Sequence, residues 1–307
     1  MSPPRPNLFL IGSMKSGTTY LGELLAQHPS IFMSTPKEPC HFVDGSALRR
    51  EWPNMWRRGF WRSADRYLSL FADAGEAPVI GEASTLYSHA PIVTGVPERI
   101  LAFNPHARFI YLMRDPVDRS ISHYWHSVTW WGERRAMLTA MRCDPRYTDV
   151  SHYARQLQEY LRHVGMNRIH VLTYEALLAD PIGQLSDIYA WLGVNPTFRP
   201  SGVGVASNSR ALTVYQVRGW GLLEKFRRSS LYHRLARHVP AAARRVGYKL
   251  AVRGVRPADV PIDAVQAYLR SHQLRQTEEL GELLQRTFPE WRTLYEKAEP
   301  VYAHALS

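Results

Sequence analysis

Lys15-Ser16-Gly17-Thr18-Thr19 follows the apolar run Leu8-Phe9-Leu10-Ile11 and leads into a helical pattern from Thr18 to Gln27. A strand, a glycine turn and a helix N-terminus in that order make an anion site. The first helical N–H groups have no intrahelical partner, and the helix dipole adds partial positive charge. Lys15 brings a full cation to the same place, and Thr18 and Thr19 bring hydroxyls. The loop therefore reads as a phosphate cradle. A magnesium-nucleotide loop instead needs Gly-x-x-x-x-Gly-Lys-Ser/Thr, with the lysine after the second glycine. Here Lys15 precedes Gly17, no lysine follows it, and the fourth predicted strand ends in Arg114 rather than an aspartate. Cations and backbone amides must carry the neutralisation.

Three more groups of residues have chemical potential. Arg114-Asp115-Pro116-Val117-Asp118-Arg119 closes a strand and opens a helix that contains Ser122. An arginine fork there would bind a phosphate through parallel hydrogen bonds; a structural pair with Asp115 or Asp118 is the competing reading. Pro36-Lys37-Glu38-Pro39 offers Glu38 as a general base, if it lies beside the transferred group, or as half of a plain surface turn. Glu82, in Gly81-Glu82-Ala83-Ser84, is either a further acid or a buried carboxylate that orients loop backbone. Lysine is scarce, five against 33 arginines, and two of the five are Lys15 and Lys37. A compact ammonium kept in an arginine-rich chain fits a need for point charges.

The elements that must position these residues alternate. Strands are expected at Leu8–Ile11, Ile31–Met33, Pro78–Ala83, Arg108–Met113 and Arg168–Thr173. Helices are expected at Thr18–Gln27, Asp65–Phe71, Pro97–Phe103, Asp115 through Trp125, Val150–Val164, Leu185–Leu192 and Pro261–Phe288. Asp115 is a helix N-cap with Pro116 at the first helical position. Such alternation implies an α/β fold, a central parallel sheet flanked by helices, with ligands at the carboxyl ends of the strands. The stretch from Gly45 to Arg62, with Trp52, Trp56 and Trp61, has no clean period and reads as a lid or acceptor wall.

Bulk properties bound the rest. The 307 residues, 45% hydrophobic and 21% charged, suffice for a full core and are read as a single domain over 1–307. No run of about 18 apolar residues predicts a membrane span, and the start lacks a signal-peptide core. Cys40 and Cys143 suggest neither a disulfide framework nor a metal site, so a reducing cytoplasm is the default compartment. The net charge of +11 is concentrated: residues 216–256 hold eleven Lys or Arg and one acid, Glu224. That segment reads as a solvated amphipathic helix pair, or as a surface for an anionic partner such as an acidic glycan, a lipid headgroup or nucleic acid; a lipid headgroup would allow a peripheral place at a membrane.

Together, Lys15-Ser16-Gly17-Thr18-Thr19, Lys37-Glu38-Pro39, Gly81-Glu82-Ala83-Ser84 and Arg114-Asp115-Pro116 with Ser122 resemble the sulfotransferases that use 3′-phosphoadenosine 5′-phosphosulfate. The resemblance is to bacterial members related to heparan sulfate and other carbohydrate sulfotransferases. It runs to about Leu192, with an echo in Phe288-Pro289-Glu290-Trp291. It implies a P-loop-like three-layer fold and a metal-free transfer to an acceptor hydroxyl on a glycan, glycolipid or small metabolite. It implies that Lys15, Ser16, Gly17, Thr18 and Thr19 bind the 5′-phosphosulfate, with Lys15 stabilising the leaving oxygen. Arg114 and Ser122 would bind the 3′-phosphate, Tyr174 would lie near the nucleotide, and Arg210 would belong to a late loop reaching the 3′-phosphate. Glu38 would take the acceptor's proton, with His41, His123 and His126 as other candidate bases. Three departures stand out. Ala83 occupies a place where many glycan members carry lysine, Cys40-His41-Phe42 replaces the usual His-Phe-Phe, and no membrane anchor is read in the sequence. A nucleotide-dependent kinase and a non-catalytic basic protein that binds membranes or other anions are the alternatives. No nucleic-acid partner is expected.

Overall fold

The computed structural model describes residues 4–204, 214–217, 252–255 and 260–296. Five parallel strands form the centre: β1 (Leu8–Gly12), β2 (Ile31–Met33), β3 (Val79–Ala83), β4 (Arg108–Met113) and β5 (Ile169–Thr173), in spatial order β2-β3-β1-β4-β5. Leu8 of β1 lies beside Gly81 of β3 and Arg108 of β4. Alternate side chains feed two cores. Leu8, Leu10, Ile110 and Leu112 pack with α1 (Thr18–Leu25) on one face. Phe9, Ile11, Phe109, Tyr111 and Met113 enter the larger cluster on the other. Sheets buried on both faces read as near-continuous apolar runs, which is how β1 and β4 were legible.

Between β2 and β3 lie α2 (Gly45–Glu51), α3 (Pro53–Arg58), a 3₁₀ turn at Phe60–Arg62 and α4 (Ala64–Leu68). The tryptophan-rich stretch without a period is therefore two short helices. Asp44 caps the first, its carboxylate accepting from the Ser46 and Ala47 N–H groups. After β3 come α5 (Val96–Phe103), then β4 and α6 (Pro116–Trp130), which runs five residues beyond the expected Trp125. Short helices α7 (Met137–Cys143) and α8 (Arg146–Asp149) lead to α9 (Tyr153–Leu161), shorter than the expected 150–164.

Beyond β5, α10 (Tyr174–Ala179) and α11 (Pro181–Leu192) follow; Gly193, left-handed, ends α11 as expected. The long C-terminal helix, α12, spans Asp263–Leu284 and stops at left-handed Gln285; α13 (Arg292–Tyr295) succeeds it. The expected helical character of 216–256 fails at both ends. Strands β6 (Val214–Val217) and β7 (Val252–Val255) pair antiparallel, in keeping with their β-branched residues. The rest of that segment, and Asn208 to Arg210, lies outside the described residues.

Sheet order places the site. From β1 the chain crosses β3 to reach β2, whereas β4 and β5 lie on the opposite side of β1. The helices that follow β1 and β4 enter different cores. The crevice beyond the carboxyl ends of β1 and β4 is thus a topological switch point. Lys15 and Arg114 both sit there.

Candidate active site

At the end of β1 the chain turns sharply. The Ser13 N–H donates to Leu112 O (2.6 Å). Lys15 has φ +70° and Gly17 φ +93°. Gly17 is the N-cap of α1, and its Cα faces the Tyr174 ring so closely that a Cβ there would lie 2.4 Å from a ring carbon. Only glycine fits both that φ and that approach. Ser16 is fully buried, and its Oγ has no partner among the described residues. The loop, α1's first turn, Lys37, Glu38, Thr85, Arg114, Ser122, His126 and Tyr174 enclose a cavity of 330 Å³ whose wall also includes Trp52, Met55 and Trp131.

Cations dominate one end. Lys37 Nζ donates to the Thr18 hydroxyl (2.8 Å) and the Thr19 hydroxyl (2.9 Å). Burial holds both lysines below their ordinary pKa, and at Lys15 the charges of Arg114, Lys37 and Arg119 push the same way. Such mutual repulsion marks a place that gains from an anion. Arg114, at the end of β4, donates to Lys15 O (3.4 Å), sits 3.5 Å from the Asp118 carboxylate and lies over the Tyr174 ring at 5.4 Å. The pairing with Asp118 therefore exists, yet the buried Arg114 Nε has no partner among the described residues. Ser122 faces the cavity from α6.

Behind Arg114 the C-terminal region locks the turn. Asp115 caps α6 as expected, its Oδ1 accepting from the Val117 N–H (2.9 Å). Its Oδ2 accepts from the Leu294 N–H (3.0 Å). Glu290 accepts from the Thr173 hydroxyl (2.9 Å), and Phe288 stacks on fully buried Trp291 at 4.2 Å. The Phe-Pro-Glu-Trp echo in the sequence thus holds the end of β5 through Glu290, and Leu294 just beyond it holds Asp115, next to Arg114.

Glu38, next to Lys37 in the chain, also lines the cavity, with φ +60°. Its Oε2 accepts the Thr85 N–H (2.9 Å) and its Oε1 the Thr85 hydroxyl (2.8 Å). Glu82 lies elsewhere. It is fully buried, and it accepts from the hydroxyls of Tyr67 (2.7 Å), Tyr87 (2.8 Å) and Ser84 (3.0 Å). Burial pushes it up to about 7. Ser84 Oγ in turn accepts the Cys40 N–H (3.1 Å). Of the two readings of Glu82, the geometry matches the orienting carboxylate.

The histidines divide. His41 stacks on Tyr67 at 4.2 Å, with Nδ1 2.6 Å from Phe60 O, outside the cavity wall. His123 is buried beside Arg119 and reaches only an adjoining groove. His126 lines the cavity, held neutral by burial and by Lys15 at a pKa of about 4. Lys37 enters the anion end more intimately than a partner of Glu38 would. Its signal in the sequence was the scarcity of lysine. The adjoining groove, 820 Å³, shares Trp52, Met55 and Trp131 with the cavity and carries Arg49, Arg50, Arg57 and Trp130.

Comparison with known proteins bears on the family and the fold. The membrane-associated sulfotransferase kil1 of Dictyostelium discoideum is 35% identical over 125 residues, 41% of this chain and 24% of that protein. Human heparan sulfate glucosamine 3-O-sulfotransferase 3B1 is 28% identical over 199 residues, 62% of this chain and 46% of that protein. The aligned regions thus span less than half the length of these relatives. In fold, the chain is similar to a sulfotransferase from Alicyclobacillus acidocaldarius, with TM-score 0.68, 23% identity, and coverage of 94% of this chain and 99% of that one. Residues 6–198, which hold all five parallel strands and every residue lining the cavity, match the sulfotransferase family, and the chain belongs to it.

Proposed function

We propose that this chain moves a sulfuryl group from 3′-phosphoadenosine 5′-phosphosulfate to an acceptor hydroxyl. One observation carries the reading: a single cavity lined by Lys15, Lys37, Arg114 and the N-terminus of α1 together with the Glu38 carboxylate. The residues suit the donor. The unpartnered, buried Arg114 Nε and the repelling lysines await an anion, and the Gly17–Tyr174 contact gives the loop a fixed ring beside it. Lys15, Gly17, Thr18, Thr19 and Lys37 would hold the 5′-phosphosulfate, with Ser16 shaping the loop from beneath. Arg114 and Ser122 would hold the 3′-phosphate beside Tyr174, and Arg210 is proposed as a further contact.

When bound, the donor supplies a sulfuryl group on a phosphate leaving group, so that the acceptor oxygen bonds to sulfur as the bridging S–O bond breaks. Lys15 stabilises the charge left on the bridging oxygen. Glu38 takes the acceptor's proton at a carboxylate oxygen. Positioning and preorganised charge then supply the catalysis. The acceptor approaches along the adjoining groove, where Trp130 and Trp131 offer flat faces and Arg49 and Arg57 offer charge. Its class is a hydroxyl-bearing glycan, glycolipid or small metabolite. No helix among the described residues is long and apolar enough to cross a membrane. A cytoplasmic location, with basic 216–256 against an anionic surface, accompanies this reading.

The test is mass spectrometry of extracts incubated with labelled donor. The label should appear on an extract component with wild type, persist in a metal chelator and vanish with Lys15→Ala. Equal labelling by Lys15→Ala refutes the assignment.

A further inference from the structure

Among the described residues, four non-glycine positions have positive φ: Lys15, Glu38, Cys40 and Gln285. Gln285 is a helix C-cap, where the left-handed region is ordinary. The other three lie in the two loops that bound the cavity. Left-handed backbone at bulky residues persists only where the surroundings over-determine it.

Around Glu38 they do. Its N–H donates to Ala83 O (2.9 Å), and the Cys40 N–H to Ser84 Oγ (3.1 Å). From α3, Arg58 Nη1 donates to Lys37 O (2.7 Å) and Glu38 O (3.2 Å). The carboxylate is fixed separately, by the Thr85 N–H on one oxygen and the Thr85 hydroxyl on the other. The Cys40 thiol lies 3.7 Å from Oε2. A lone donor would leave the carboxylate free to turn about its last torsion. Two donors from one residue hold its plane.

Resting on Glu38 as the proton acceptor, we propose that Thr85 and Arg58 are positioning residues that form a two-point clamp on it. Thr85 sets the carboxylate plane; Arg58 sets the backbone. Arg58 also joins the base to the acceptor side, because Met55 of α3 lines the cavity and Arg57 the groove. An acceptor that shifts α3 therefore shifts the carbonyls of Lys37 and Glu38 with it. Misplacing a reacting group by a small distance costs large factors in rate, which is what such a clamp prevents.

The experiment needs no acceptor. Release of labelled sulfate from the donor to water reports turnover, titration with adenosine 3′,5′-bisphosphate reports the donor site, and amide hydrogen exchange reports the clamp. Thr85→Val keeps the N–H and removes the hydroxyl. It should cut turnover roughly tenfold, leave bisphosphate affinity unchanged, and be rescued by Thr85→Ser. Arg58→Ala should cut turnover and speed exchange of the Cys40 amide, with Arg58→Lys restoring part of both. If Thr85→Val and Arg58→Ala turn over at the wild-type rate while Glu38→Gln does not, the clamp is wrong and the base assignment stands. If Glu38→Gln itself runs at the wild-type rate, both fall.

Discussion

Gly17→Ala probes the join between the cradle and Tyr174. At φ +93° an L-residue is strained, at a cost of about 1–2 kcal/mol. The new Cβ would meet Tyr174 Cδ2 at 2.4 Å and Cε2 at 2.6 Å. Carbon contacts are comfortable near 3.5–4 Å, so the ring must retreat by roughly 1 Å, an overpacking cost of about 1–3 kcal/mol. The sum, about 2–5 kcal/mol, corresponds to a melting-point drop of roughly 3–8 °C in scanning calorimetry for a chain of this length. A retreating ring also leaves Arg114, which lies over it. Affinity for adenosine 3′,5′-bisphosphate should fall by about tenfold or more. Gly193→Ala is the control. Gly193 is also left-handed, at φ +76°, with nothing among the described residues within 4 Å of its would-be Cβ, so it carries the backbone cost alone. Gly17→Ala in a Tyr174→Ala background should cost less than in wild type, because the clash is gone. The reasoning is refuted if Gly17→Ala melts no lower than Gly193→Ala and binds the bisphosphate like wild type.

Glu38→Gln should bind the bisphosphate as wild type does while losing transfer by about 10²-fold or more; near-normal transfer would move the base to His126. Lys37→Ala frees the Thr18 and Thr19 hydroxyls and removes a cation, and should weaken bisphosphate binding in the same titration. Glu82→Gln tests buried charge. Glu82 is raised from 4.5 to about 7, so the folded state favours its protonated form. Its contribution to stability is complete below the unfolded value and is lost as pH rises through 7. By about pH 8 this amounts to roughly 3 kcal/mol. Melting curves of wild type and Glu82→Gln should diverge in favour of the variant as pH rises from about 5 to 8. Parallel curves would show that folding does not raise the Glu82 carboxyl above its ordinary range.

What could be read from the sequence followed from signals local to a few residues. The apolar runs Ile31–Met33 and Arg108–Met113 match their strands residue for residue, because both faces of the sheet are covered. Asp115-Pro116 marked a helix start because capping is local chemistry. The short helices α2, α3, α7, α8 and α10 were missed. Helices of four to seven residues take their stability from caps and packing, not from periodicity. The Asp44 cap of α2 was a readable signal. Glu82 had two readings that only its three hydroxyl donors separate. The bonds of Glu290 to Thr173 and of Leu294 to Asp115, beside Arg114, join residues far apart in sequence, which no local pattern carries.

The central claim is that the cavity is built for an anion at both ends of an adenosine donor, with Arg114 reading the 3′-phosphate. Isothermal titration of wild type and Arg114→Ala with adenosine 3′,5′-bisphosphate and with adenosine 5′-monophosphate tests it directly. Wild type should strongly prefer the bisphosphate, and Arg114→Ala should lose most of that preference while still binding the monophosphate. Equal affinity of wild type for the two nucleotides, or a preference that survives Arg114→Ala unchanged, would contradict it.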